Sequence, residues 1–148
     1  MNNNCNNENN LKAVNEVYRN VKTALLSIDA VLHQIDSDDL RSEILLEAKG
    51  YEDFLSDLTD FMRNNEFEPI EVSPIKKTGM NIGIKMNTAI NNGKSHVAEM
   101  MIKGSVTGYC ELIRLINGNL ICNENVLTFA KKLVALEEGY VENLKKFL

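Results

Sequence analysis

At 148 residues the chain is sized for one domain and is long enough to bury a core without staples. Its 44% hydrophobic and 25% charged residues are those of a globular protein, and a net charge of −5 repels phosphate, which argues against a nucleic-acid partner. No run approaches the ~18 apolar residues of a membrane span and no charged-then-apolar signal opens the chain, so no membrane partner and a cytoplasmic location are expected.

Residues 1–10 contain seven asparagines, too little apolar surface to order a segment, and are expected to be a disordered tail ahead of a single domain over 11–148. The first helix is expected over 11–35. Val14, Val17, Val21, Ala24, Leu25, Ile28, Val31, Leu32 and Ile35 recur at steps of three and four and form one apolar stripe. Asp36-Ser37-Asp38-Asp39 is a turn in which Ser37 or Asp38 can cap a second helix over 39–64. That helix has an expected inner face of Leu40, Ile44, Leu45, Ala48, Tyr51, Leu55, Leu58 and Met62. The run Glu43, Glu47, Lys49, Glu52, Asp53, Asp57 and Asp60 reads as its solvated face. So short a turn makes the two helices an antiparallel hairpin.

Residues 65–77, with Pro69 and Pro74, form a long crossover. An extra short helix is expected over 74–90 and ends at Asn91-Asn92-Gly93. Ser95 is placed to cap a third helix over 96–117, whose stripe runs Val97, Met100, Met101, Ser105, Gly108, Leu112, Leu115 and Ile116. Gly104, Ser105 and Gly108 would let a neighbouring backbone approach. Gly118 suits a left-handed C-cap, and Asn123 or Asn125 caps a fourth helix running to 147. Its stripe is Val126, Ala130, Leu133, Val134, Glu137, Tyr140, Leu144 and Phe147.

The two halves of the chain faintly repeat. Gly50-Tyr51-Glu52-Asp53-Phe54-Leu55 aligns with Gly139-Tyr140-Val141-Glu142-Asn143-Leu144, and Leu40, Ile44, Leu45 and Leu58 fall opposite Phe129, Leu133, Val134 and Phe147. A second pairing sets Thr23 and Ala24 against Thr107 and Gly108. A helical hairpin used twice is the plan of an all-α, antiparallel four-helix bundle. The repeat would bring Tyr51 and Tyr140 together in an interior nearly free of carboxylates.

Glu137 is the one acidic member of a stripe. A buried carboxylate must be hydrogen-bonded, metal-bound or neutralised; the commoner alternative is a glutamate at the seam's edge that reaches solvent. The segment Leu136-Glu137-Glu138-Gly139-Tyr140-Val141-Glu142-Asn143-Leu144 resembles the last helix of ferritin-like bundles. Such proteins carry Glu-x-x-His on the second helix of each hairpin and a glutamate on each first helix. Glu137 matches that glutamate, Tyr140 stands in the histidine's place, and the equivalent pair on the second helix is Ala48 and Tyr51. The resemblance spans about 11–147 and implies a ferritin-like bundle that lacks its two-metal centre. The chain is also similar to small bacterial proteins with a Ser-His-x-Ala-Glu-Met-Met segment, here Ser95 to Met101, and that likeness implies no activity.

Within this segment His96 and Glu99, three residues apart, could hold one ion, or could belong to an ordinary first helical turn. His33, near the end of the first helix, has no second ligand in view. Cys5, Cys110 and Cys122 show no zinc spacing and are expected to be reduced thiols. The expected function is that of a non-catalytic interaction or structural protein, a homodimer with no cofactor. The alternative is an iron-, manganese- or zinc-binding or small-ligand-binding bundle using Glu137, Tyr140, Tyr51, His96 and Glu99.

Overall fold

The computed structural model of the chain describes residues 7–71 and 93–148. Four helices make up most of them: α1 Asn7–Leu32, α2 Asp38–Asn64, α3 Lys94–Asn117 and α4 Glu124–Leu144, followed by a 3-10 turn Lys145–Phe147. No strand occurs among the described residues, and no helix there is long and apolar enough to cross a membrane. The helix expected over 74–90 lies outside the described residues.

Helix ends follow local chemistry. α1 starts four residues earlier than the expected start at residue 11, so residues 7–10 are helical, in contrast to the expected tail. The Asn10 side-chain oxygen accepts from the backbone N–H groups of Cys122 and Asn123, each at 3.0 Å, which ties this start to the loop before α4. Ser37 caps α2 by accepting from the Leu40 N–H, and Asn123 caps α4 by accepting from Asn125 at 2.9 Å and Val126 at 3.2 Å. Ser95 does not cap α3. That helix follows Gly93, whose φ of 96° favours glycine, and the Ser95 hydroxyl donates instead to the Leu148 carbonyl. The left-handed residue after α3 is Asn119 (φ 53°), not Gly118 (φ −70°).

The core is apolar and contributed by all four helices. Val14, Val17, Val21, Leu40, Ile44, Leu58, Val126, Ala130, Leu133 and Leu144 are fully buried, with Val97, Ala98 and Leu112 from α3. α4 packs against each of the other three helices and α3 is its closest neighbour. The start of the crossover is fastened to α1. The Asn15 side chain accepts from the Ile70 N–H at 2.7 Å and donates to the Glu68 carbonyl, the Tyr18 hydroxyl donates to Glu71 at 3.0 Å, and Phe67 packs on Phe61.

The buried face of α2 is rotated from the one its residue types suggest. Leu40, Ile44, Glu47, Tyr51, Phe54, Leu58 and Met62 are buried at steps of three and four, while Leu45 is 49% exposed and Ala48 and Leu55 only half-buried. Glu43 and Glu47, expected in solvent, are therefore buried at 9% and 1% exposure, and the interior is not nearly carboxylate-free. Of the small residues on α3, Gly108 lies against α1, where a Cβ would be 2.8 Å from the Asn20 amide nitrogen, and Ser105 hydrogen-bonds Tyr51 on α2, whereas Gly104 faces open space.

Candidate functional site

Among the described residues, the polar side chains buried to the last few per cent near the middle of the bundle converge from α2 and α4. Glu47 and Tyr51 are one turn apart on α2, and Glu137 and Tyr140 one turn apart on α4, so each pair shares a helix face. Both glutamates are 1% exposed. The rings of Tyr51 and Tyr140 lie 5.1 Å apart at 59°, and the Tyr51 hydroxyl donates to Glu137 Oε1 at 3.1 Å. Tyr140 reaches across to α2, its hydroxyl seated where Gly50 leaves room.

The cluster has more polar atoms than partners. Glu47 Oε1, Glu137 Oε2 and the Tyr140 hydroxyl are buried with no hydrogen-bond partner among the described residues. Burial without a counter-ion penalises the charged form of a carboxyl. Desolvation raises Glu137 to about 8, and the Tyr51 hydroxyl and the Asn20 amide beside it lower it only in part. Desolvation likewise raises Glu47 to about 8, with a smaller push from the charge on Glu43. At neutral pH both carboxyls are therefore largely protonated. The same burial raises Tyr51, and it carries Tyr140 up to about 12. Glu43 is distinct: Lys146 donates to it at 2.9 Å, a partly buried ion pair at the other end of α2's polar edge.

The remaining candidates lie apart. His96 and Glu99 lie near the start of α3, Glu99 past its first turn, with side chains 59% and 45% exposed; their ion-pair distance is 3.6 Å, and Glu99 is held more closely by Lys103 at 2.6 Å. The hydrogen bond from Lys103, and then its charge, lower Glu99. His33 is exposed just beyond α1. Cys122 is disulfide-bonded, which corrects the expectation of reduced thiols at that position, while Cys110 is free and half-buried.

A two-metal centre needs about six carboxylate and histidine ligands. The cluster offers two carboxyls and no imidazole, and among the described residues no three His, Cys, Asp or Glu side chains are grouped to hold an ion. These residues do not fit a two-metal site. Neither of two surface grooves is lined by Glu47, Tyr51, Glu137 or Tyr140; one is lined mainly by residues of α1 and α3, Asn20 among them, the other by Tyr109, Glu138, Gly139, Val141 and Glu142. No family model, curated protein or solved structure matches the chain.

Sequence reasoning found Glu137, Tyr51 and Tyr140 and missed Glu47. A signal was present: Glu47 stands four residues before Tyr51, as Glu137 stands three before Tyr140, so both glutamates share a face with a tyrosine. The acidic run around Glu47 masked it.

Proposed function

We propose that the four helices form a ferritin-like antiparallel bundle of two hairpins without the two-metal centre, acting as a non-catalytic interaction or structural subunit. The orientation is supported by contacts at the helix ends. Asn10 at the start of α1 bonds the residues just before α4, Lys94 at the start of α3 pairs with Asp39 at the start of α2, and Lys146 after α4 pairs with Glu43. The observation that carries the non-catalytic reading is the closure of the centre. Its two carboxyls are 1% exposed and held largely neutral by burial, Glu137 is bonded to Tyr51, and neither glutamate lines the two surface grooves.

Self-association as a two-fold dimer completes this reading, since two-fold homo-oligomers are the commonest. The adjacent Leu45 and Leu46, 49% and 68% exposed on α2, supply apolar surface. Light scattering across a concentration series is expected to give twice the chain mass, falling to one on Leu46→Glu. A strict monomer at all concentrations removes the dimer.

The three unpartnered oxygens favour one second reading, a single cation held by oxygen donors in place of the two-metal site. Protein grown with iron, manganese and zinc and then desalted distinguishes the two. Metal retained at one per chain, and lost in a Glu47→Gln/Glu137→Gln variant, establishes the second reading. Metal-free protein with no thermal shift on adding any of the three ions leaves the first.

A further inference from the structure

A groove of about 450 Å³ lies between α1 and α3, on the far side of Asn20 from the buried cluster. Lys12, Arg19 and Arg114 stand on its walls above Leu112 and Leu115. Against Glu16 and Glu111, which also line it, these three cations leave the groove net positive in a chain whose net charge is −5. Arg19 is occupied by Glu16 at 2.5 Å, but Lys12 and Arg114 have no ion-pair partner among the described residues. Leu112, 2% exposed, forms the apolar floor, and Leu115 is partly buried beside it. The volume lies in the range of small-molecule sites, which pair an apolar lining with a few placed polar groups. Glu111 on the same wall opposes a second negative charge. An apolar floor, two cations without an ion-pair partner among the described residues, and the carboxylates of Glu16 (held by Arg19) and Glu111 together select a ligand with an apolar body and a single negative head.

We propose that this groove binds a free single-chain amphipathic carboxylate, with its head at Lys12 and Arg114 and its chain along Leu112 and Leu115. The site is independent of the buried cluster and of whether the bundle is catalytic. Concave walls from two helices suit one chain rather than a bilayer surface.

The test is calorimetric titration of the full chain with decanoate below its micellar concentration. Saturable binding of one decanoate per chain is expected. Lys12→Glu/Arg114→Glu is expected to weaken it by about tenfold or more, because both head-group contacts become repulsive. Lys131→Glu/Lys132→Glu, an equal charge change at exposed positions of α4, is expected to alter it less than about twofold. Leu115→Gln, which keeps both cations, is expected to weaken it through the floor, so the proposal stays testable if the charge-reversed variant does not fold. Absence of saturable binding overturns the proposal, as does equal weakening by the two charge reversals. Sedimentation of the protein with phosphatidylglycerol vesicles, without binding of decanoate, overturns it in favour of a membrane surface.

Discussion

The protein is expected to lose stability as pH rises from about 5 to 9, the reverse of the usual carboxylate behaviour. Glu47 and Glu137 have folded-state values near 8 against an ordinary 4.5, so the native chain binds more protons than the unfolded chain between those limits. Stability therefore falls with pH across this window. Their contribution is fully present below about 4.5 and is lost as pH passes through 8. At 1.36 kcal/mol per pH unit, each buried carboxyl is worth on the order of 5 kcal/mol between the two plateaus. That is a large share of a typical folding free energy of about 5–15 kcal/mol. At the acid end Asp39 acts oppositely. The Ser37 hydroxyl and then the Leu40 N–H lower it to about 2, so its contribution is present above its ordinary 3.8 and is lost as pH falls through 2. The maximum should lie near pH 4–5. Urea midpoints measured from pH 4 to 9 will show the decline. Glu47→Gln or Glu137→Gln should each remove about half of it, and the double variant should be flat, because an amide of the same shape cannot ionise. A midpoint that is constant or rises between pH 5 and 8 would falsify the assignment of two buried neutral carboxyls.

Gly50→Ala should destabilise the protein by about 2 kcal/mol, although alanine is the better helix former by about 1 kcal/mol. A Cβ at position 50 would lie 1.9 Å from the Tyr140 hydroxyl oxygen and 3.2 Å from its ring carbon Cζ. The ring cannot slide away freely, because Tyr140 is 8% exposed and stacked 5.1 Å from Tyr51. Tyr140→Phe, by contrast, should be neutral or stabilising by up to about 1 kcal/mol, since it removes a buried hydroxyl that has no partner among the described residues. In the double variant the worst clash disappears with the oxygen, leaving only the tight ring contact. A double-mutant cycle by chemical denaturation should therefore show a favourable coupling of about 1–2 kcal/mol. Additive effects would mean that Tyr140 does not cross to Gly50. A null effect of Gly50→Ala alone would mean the same.

Both outcomes depend on a site that was half legible in the sequence. On α4 the residue types and the true buried face coincide: Val126, Ala130, Leu133, Glu137, Tyr140 and Leu144 are buried as their spacing implies. The same spacing put Tyr51 on the inner face of α2, and the internal repeat anticipated the contact of the two tyrosines. On α2 the pattern misled, because Leu45, Ala48 and Leu55 define an apolar edge on one side of Tyr51 while Glu43, Glu47 and Phe54 define the other. Periodicity fixes how far apart buried residues lie along a helix. It does not fix the rotation of the helix when two edges compete. The packing of α2 against α1 and α4 set that rotation, and with it the burial of Glu47. Asn15 illustrates the same limit. A polar residue within α1, it is 7% exposed because the crossover backbone returns across it and takes its amide as a partner.

By itself the sequence determined four helices, their caps at Ser37 and Asn123, the apolar stripes of α1 and α4, and a tyrosine on each of α2 and α4 facing inward. These are consequences of local propensity and of a 3.6-residue repeat, which neighbouring residues carry without reference to the rest of the chain. Only the tertiary structure decided that Glu47 joins Glu137 away from water and that Tyr140 lies over Gly50. It also decided that Lys12 and Arg114, separated by most of the chain, share one groove. Those facts depend on which helix faces lie opposite one another, and the proton affinity of a carboxyl follows from that surrounding medium rather than from its place in the sequence.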